Sequence, residues 1–143
     1  MKMAEGKPAI LVVDDEPDLV EYLCVALQDN GFDPIGVSQP EKAVDAALRS
    51  PPRAIILDIM MPGRTGYSIY RSLCAAPSLR DVPVFFLSGF PRGGAGAGSP
   101  PPPEDLPPPA GFFDKPVDVP ALVAALASLP ARRLAPGVEG GTP

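Results

Sequence analysis

Four short apolar runs in this chain each end on a polar residue of a different chemical kind. Ala9–Val13 runs into Asp14 and Asp15, Ala54–Leu57 into Asp58, Val84–Leu87 into Ser88, and Gly111–Asp114 into Lys115. Short apolar, β-branched or aromatic runs separated by helical patterns predict buried parallel strands. In an open α/β sheet, the site lies beyond the carboxyl ends of such strands. One sheet edge would then gather three carboxylates, a hydroxyl and an ammonium, a set able to hold a divalent cation and a phosphoryl group.

Between the runs, apolar residues recur at helical spacing. Pro17 can open a helix without losing a hydrogen bond. Leu19, Leu23, Ala26 and Leu27 then share one face, and Asn30-Gly31 ends it. Phe32–Val37 reads as an edge strand, because it contains Pro34 and Gly36. Ser38 is placed to cap a second helix over 40–49, with Val44, Ala47 and Leu48 inward. Thr65 is placed to cap a third over 66–75, with Ile69 and Leu73 inward. Asp118 caps a last helix whose apolar stripe is Val119, Leu122, Val123, Leu126 and Leu129; Pro130 ends it, and a tail follows over 130–143. This alternation predicts an α/β domain over 8–129: a doubly wound, five-stranded parallel sheet with helices on both faces.

One element is missing from the pattern. Between Ser88 and Gly111 a fourth helix is expected, but residues 89–110 are dominated by glycine and proline, which cannot sustain an α-helix. The proline clusters favour extended polyproline II structure, so an irregular crossover is expected. Strands four and five then need another cover on one side. Phe90, Leu106 and the crossover prolines, or a second copy in a homodimer through this face, would supply it.

Composition narrows the function. The net charge of −5 argues against nucleic-acid binding. No apolar run is long enough to span a membrane, and the polar start of the chain lacks a signal-like core, so a cytoplasmic location and no membrane partner are expected. Cys24 and Cys74 are too few and too far apart for a thiol redox or zinc motif. The chain has no histidine, so any phosphohistidine must come from a partner.

Asp14-Asp15-Glu16-Pro17, the loop Asp58-Ile59-Met60-Met61-Pro62-Gly63, Ser88, and the turn Phe113-Asp114-Lys115-Pro116 occur in this order at successive strand ends. In this respect the chain resembles the receiver domain of two-component response regulators, over about residues 8–129 with a lapse at 89–110. The resemblance implies a flavodoxin-like sheet of strand order 2-1-3-4-5, here without the fourth helix. It implies that Asp58 accepts the phosphoryl group, with Lys115 and Ser88 holding phosphoryl oxygens. Mg2+ would be bound by Asp15, Asp58 and the backbone carbonyl of Met60, with Asp14 acting through a water. Ser88 and Phe112 take the switch positions, although phenylalanine lacks the hydroxyl of a tyrosine. No other cofactor is implied. The partners implied are a histidine kinase or phosphotransfer protein and an unidentified output protein.

Taken singly, each residue has a plainer role: Asp14 and Asp15 as helix caps, Asp58 and Ser88 as turn residues, Lys115 as a solvated surface lysine. The expected activity is a stand-alone receiver that catalyses only its own phosphoryl transfer and is not otherwise an enzyme. A degenerate receiver, binding partners without phosphorylation, is the alternative. A phosphatase of the haloacid dehalogenase type ranks low, because Met60 stands where that class carries its second aspartate.

Overall fold

The computed structural model describes residues 7–61, 64–89 and 101–129. Its strands are β1 (Ala9–Val13), β2 (Asp33–Val37), β3 (Ala54–Asp58), β4 (Val84–Ser88) and β5 (Gly111–Asp114). They form one parallel sheet of order β2-β1-β3-β4-β5. The four α-helices among the described residues are α1 (Pro17–Asp29), α2 (Ala43–Arg49), α3 (Gly66–Ala75) and α4 (Val119–Ala127). No helix among the described residues is long and apolar enough to cross a membrane.

The central strands are buried on both faces, so their apolar residues divide by alternation. Ile10, Val12, Ala54, Ile56, Phe85 and Leu87 face α1 and α4, where Val20, Leu23, Leu27, Leu122 and Leu126 close the core. Leu11, Val13, Ile55, Leu57, Val84 and Phe86 face α2 and α3, against Ala43, Ala47, Ile69, Tyr70 and Leu73. Phe86 is fully buried and receives Tyr67 and Tyr70 edge-on at ring distances of 4.9 and 5.3 Å, while Phe112 stacks on it at 5.7 Å.

The helix ends follow local chemistry, with three corrections. Helix α1 starts on Pro17 and closes where the amides of Gly31 and Phe32 reach the carbonyls of Gln28 and Leu27. That closure needs a left-handed residue, supplied by Gly31 at φ +91°. The Asp118 carboxylate accepts the Ala121 amide, capping α4. Ser38 does not cap the second helix. The chain enters it through a 3-10 turn, Pro40–Lys42, preceded by Gln39. Thr65 sits at the N-cap of α3 but its side chain makes no capping bond; its carbonyl accepts the Ser68 hydroxyl instead. Leu48, expected inward, is exposed, because α2 spans only seven residues and seats Ala43 and Ala47 on the sheet.

The region before β5 is irregular where it is described. Residues 101–110, here called the strap, contain no helix. Leu106 packs against the core cluster that holds Phe86, Tyr67 and Tyr70, and so supplies part of the cover that a helix would provide. Two side chains of α3 hold the strap from the other side. The Tyr70 hydroxyl donates to the Pro107 carbonyl at 2.7 Å, and the Arg71 guanidinium makes two bonds to the Asp105 carboxylate, at 2.6 and 3.1 Å. Phe90, expected beside Leu106, and the tail from residue 130 lie outside the described residues.

Phe86→Ala should be the most damaging single core change on the α3 side. It removes a fully buried ring with three aromatic neighbours, and a loss of about 3–5 kcal/mol is expected in denaturant unfolding.

Candidate functional site

Parallel pairing brings the polar strand ends to one edge. Beyond the strands the ladder continues: the amide of Asp14 bonds the Val37 carbonyl, that of Ile59 the Leu87 carbonyl, and that of Lys115 the Ser88 carbonyl. Asp58 lies opposite Leu87, and Ser88 opposite Asp114. The expected residues therefore converge on one edge. Carboxylate oxygens of Asp14, Asp15 and Asp58 all lie within 4.8 Å of one another.

Lys115 neutralises part of this charge. Its Nζ lies 3.2 Å from Asp58 Oδ2, 3.0 Å from Asp14 Oδ2 and 4.0 Å from Glu16 Oε1. The Lys115–Pro116 peptide bond is cis. Glu16 stands in the acidic opening motif, but the sequence assigned it no role at the site. Only the reach of Lys115 across the sheet edge reveals one.

The helix-cap role does not describe Asp14 or Asp15, whereas Asp58 does make the turn bond of its plainer role. The N-cap of α1 is Glu16, and neither Asp14 nor Asp15 caps the helix. Asp14 is fully buried, with Oδ1 accepting the Glu16 amide at 3.0 Å. Its Oδ2 is in charge contact with Lys115, but no donor is aligned on it as a hydrogen bond. Asp58 is buried, and its Oδ1 accepts the Met60 amide at 3.3 Å. Ser88 is fully buried at the end of β4. The Met60 side chain is exposed, and its residue opens a two-residue antiparallel ladder, Met60–Met61 with Arg64–Thr65, that was not anticipated. Phe112 is stacked on Phe86.

Electrostatics favour a cation here. Burial, and then the nearby Asp14 charge, push the Asp58 carboxyl up to about 6 despite Lys115 and the Met60 amide. Burial opposes the Lys115 charge, but Asp14 and Asp58 outweigh it and raise its pKa. A hard divalent cation takes carboxylate oxygens and keeps waters. The unaligned Asp14 Oδ2 is a buried acceptor suited to such an ion or its water.

Gly66 holds the loop that follows Asp58 in a way that the motif pattern did not reveal. A Cβ at this position would lie 2.1 Å from the Asp58 carbonyl oxygen and 3.2 Å from the Ile59 Cα. The Gly66 amide donates to the Ile59 carbonyl at 2.6 Å. The first turn of α3 is thus pressed on the main chain that carries Asp58. A glycine at the first position of a helix was the only signal available in the sequence.

Comparison with known proteins identifies the family. The response regulator receiver domain family matches residues 10–92, which include Asp14, Asp15, Asp58 and Ser88. Protein Rrf1 of Nitratidesulfovibrio vulgaris is 31% identical over 117 residues, covering 82% of this chain and 78% of that protein. The phosphate regulon transcriptional regulatory protein PhoB of Escherichia coli is 37% identical over 79 residues, 55% of this chain and 34% of PhoB. This chain thus spans about a third of the length of PhoB. Among solved structures, a sensor protein from Polaromonas sp. JS666 superposes with a TM-score of 0.72 at 27% identity, over 84% of this chain and 93% of that one. The chemotaxis response regulator CheY4 of Vibrio cholerae shares the fold, with a TM-score of 0.67 at 20% identity over 85% of this chain and 97% of that one.

Two outcomes test this site. Between the ordinary carboxyl value of 3.8 and about 6, the folded state holds the Asp58 proton more tightly than the unfolded chain does. In metal-free buffer, stability should therefore fall as pH rises through that window, by on the order of 2–3 kcal/mol. Asp58→Asn should remove this slope in urea unfolding measured from pH 4 to 7. Gly66→Ala should cost about 1–3 kcal/mol by overpacking and also weaken divalent-cation binding. Gly31→Ala, at a left-handed position with open space around it, should cost about 1 kcal/mol and leave cation binding unchanged. Calorimetric titration of both variants checks the contrast.

Proposed function

Because the chain belongs to the response regulator receiver domain family of two-component signalling, we propose that it accepts a phosphoryl group on Asp58 and signals by contact with another protein. The observation that carries this reading is the set of Asp14, Asp15 and Asp58 within 4.8 Å, with the Lys115 ammonium 3.2 Å from Asp58.

At neutral pH, Asp58 is ionised even with its raised pKa, so one carboxylate oxygen can attack phosphorus. The new O–P bond forms as the donor's N–P bond breaks, and the electron pair leaves with the imidazole nitrogen of the donor histidine. That histidine belongs to a histidine kinase or phosphotransfer protein, since this chain has none. Lys115, held among three carboxylates, neutralises charge on a phosphoryl oxygen as it develops. Ser88, at the end of β4, supplies a hydroxyl for another oxygen. Asp15, Asp58 and the Met60 carbonyl would hold Mg2+, with Asp14 acting through a water; when bound, the ion shields the carboxylates from the incoming phosphoryl charge.

The chain acts on itself rather than turning over a separate substrate. Met60, two residues after Asp58, offers no carboxylate for acid–base work on an ester. The described strap, in place of a helix beside β5, favours the second reading, a receiver that binds partners without phosphorylation.

Incubation with acetyl phosphate and Mg2+ should add the mass of one phosphoryl group to the intact protein. The gain should be lost with EDTA and in Asp58→Asn. A wild-type protein that gains no mass would leave the phosphorylation-independent reading.

A further inference from the structure

The strap is held by an arrangement that serves the core only in part. Leu106 is an apolar anchor of the strap in the cluster around Phe86. The remaining ties are polar: the Ala110 amide bonds the Val84 carbonyl, and the others come from two successive residues of α3. Tyr70 donates to the Pro107 carbonyl, and Arg71 grips Asp105 at the exposed surface. Exposed ion pairs hold weakly and are screened by salt. The Tyr70 hydroxyl stays a donor across the ordinary pH range, because burial and the Cys74 thiol beside it push its pKa up to about 12. The prolines reinforce this arrangement: Leu106, Pro107 and Pro108 each precede a proline, so this stretch has few alternative backbone shapes.

The same strap leads directly into β5, whose other end is the phosphorylation site. The Ala110 amide bonds the Val84 carbonyl at the start of β4, and four residues of β5 separate this bond from Lys115. Among the described residues β5 is an edge strand paired with β4, and its residues are half-buried or exposed. At the far end, the Lys115 amide is bonded to the Ser88 carbonyl. Lys115 is shared between Asp14 and Asp58, so a phosphoryl group on Asp58 must redistribute its contacts. Phe112, midway along β5, packs on the same aromatic cluster as Leu106. Any shift of this short strand is thus felt at the seat of the strap.

We propose that the strap, residues 101–110, is a clamp that reports phosphorylation: seated on α3 through Tyr70 and Arg71 while Asp58 is free, and loosened when Asp58 carries a phosphoryl group. This rests on the phosphoacceptor reading of Asp58. By linkage, whatever loosens the strap must favour the modified site by the same factor. The ties to be tested join α3 to residues 105–107, and none of them touches the carboxylate cluster.

The test uses beryllium fluoride, which bonds a carboxylate oxygen as a stable stand-in for the phosphoryl group. Its affinity in Mg2+ is measured for the whole chain, for Tyr70→Phe, for Asp105→Asn and for the double variant. The double variant should bind about fivefold more tightly than wild type, with smaller gains for each single change. In wild type, saturating beryllium fluoride should speed hydrogen exchange at the amides of Asp105 and Leu106. Leu106→Ala is a second way to loosen the strap, and it should tighten binding in the same direction. Affinities unchanged within twofold, or weakened, in all these variants would overturn the clamp while leaving Asp58 as phosphoacceptor. A wild-type protein that takes up no beryllium fluoride would instead overturn the phosphoacceptor reading, and the clamp with it.

Discussion

Parallel pairing makes every strand of this sheet finish at the same edge, and the rest of the molecule is arranged around that constraint. Because the strands run one way, their carboxyl ends collect Asp14, Asp58, Ser88 and Lys115 without any help from loops. The ladder bonds that continue past the strands fix the main chain of these residues against one another. Such a sheet must also be covered on both faces. That demand accounts for α1 and α4 on one side, α2 and α3 on the other, and the strap where no helix is described.

The edge carries a charge problem together with its chemistry. Two of its aspartates are buried, and buried charges must be paired or neutralised. Lys115 supplies one positive charge to three carboxylates, which leaves net negative charge inside the edge. The raised pKa of Asp58 reflects first its burial and then the nearby Asp14 charge. A site that is destabilising when empty is suited to bind a divalent cation, and this tension links the stability of the fold to its activity.

Much of this was legible in the sequence because parallel strands advertise themselves. The runs at Ala9, Ala54 and Val84 are continuous and apolar, so both their length and their terminal polar residues could be read directly. The edge strand β2 was legible through Pro34, and the close of α1 through Asn30-Gly31. Three local features failed. Ser38 and Thr65 are good capping residues by type, yet capping depends on backbone geometry at the helix start, which a 3-10 turn and a tightly packed Gly66 changed. Leu48 fits a helical stripe, but the short α2 offers the sheet only a narrow, alanine-lined face.

By itself, the sequence determined the kind of fold and the chemical identities gathered at its strand ends, because these follow from periodicity and alternation; the strand order came from the family resemblance of its motifs. The sequence also argued against a helix over 89–110 through their glycine and proline, and the described residues 101–110 contain none. Only the tertiary structure decided how those residues meet: Lys115 reaching Glu16 as well as the aspartates, Gly66 pressed on the Asp58 main chain, and the strap tied to Tyr70 and Arg71. Each of these contacts joins elements far apart in the chain or depends on a distance of a few tenths of an ångström. Neither a residue's type nor its spacing encodes such information. It arises when the packed sheet fixes where each helix and loop comes to rest.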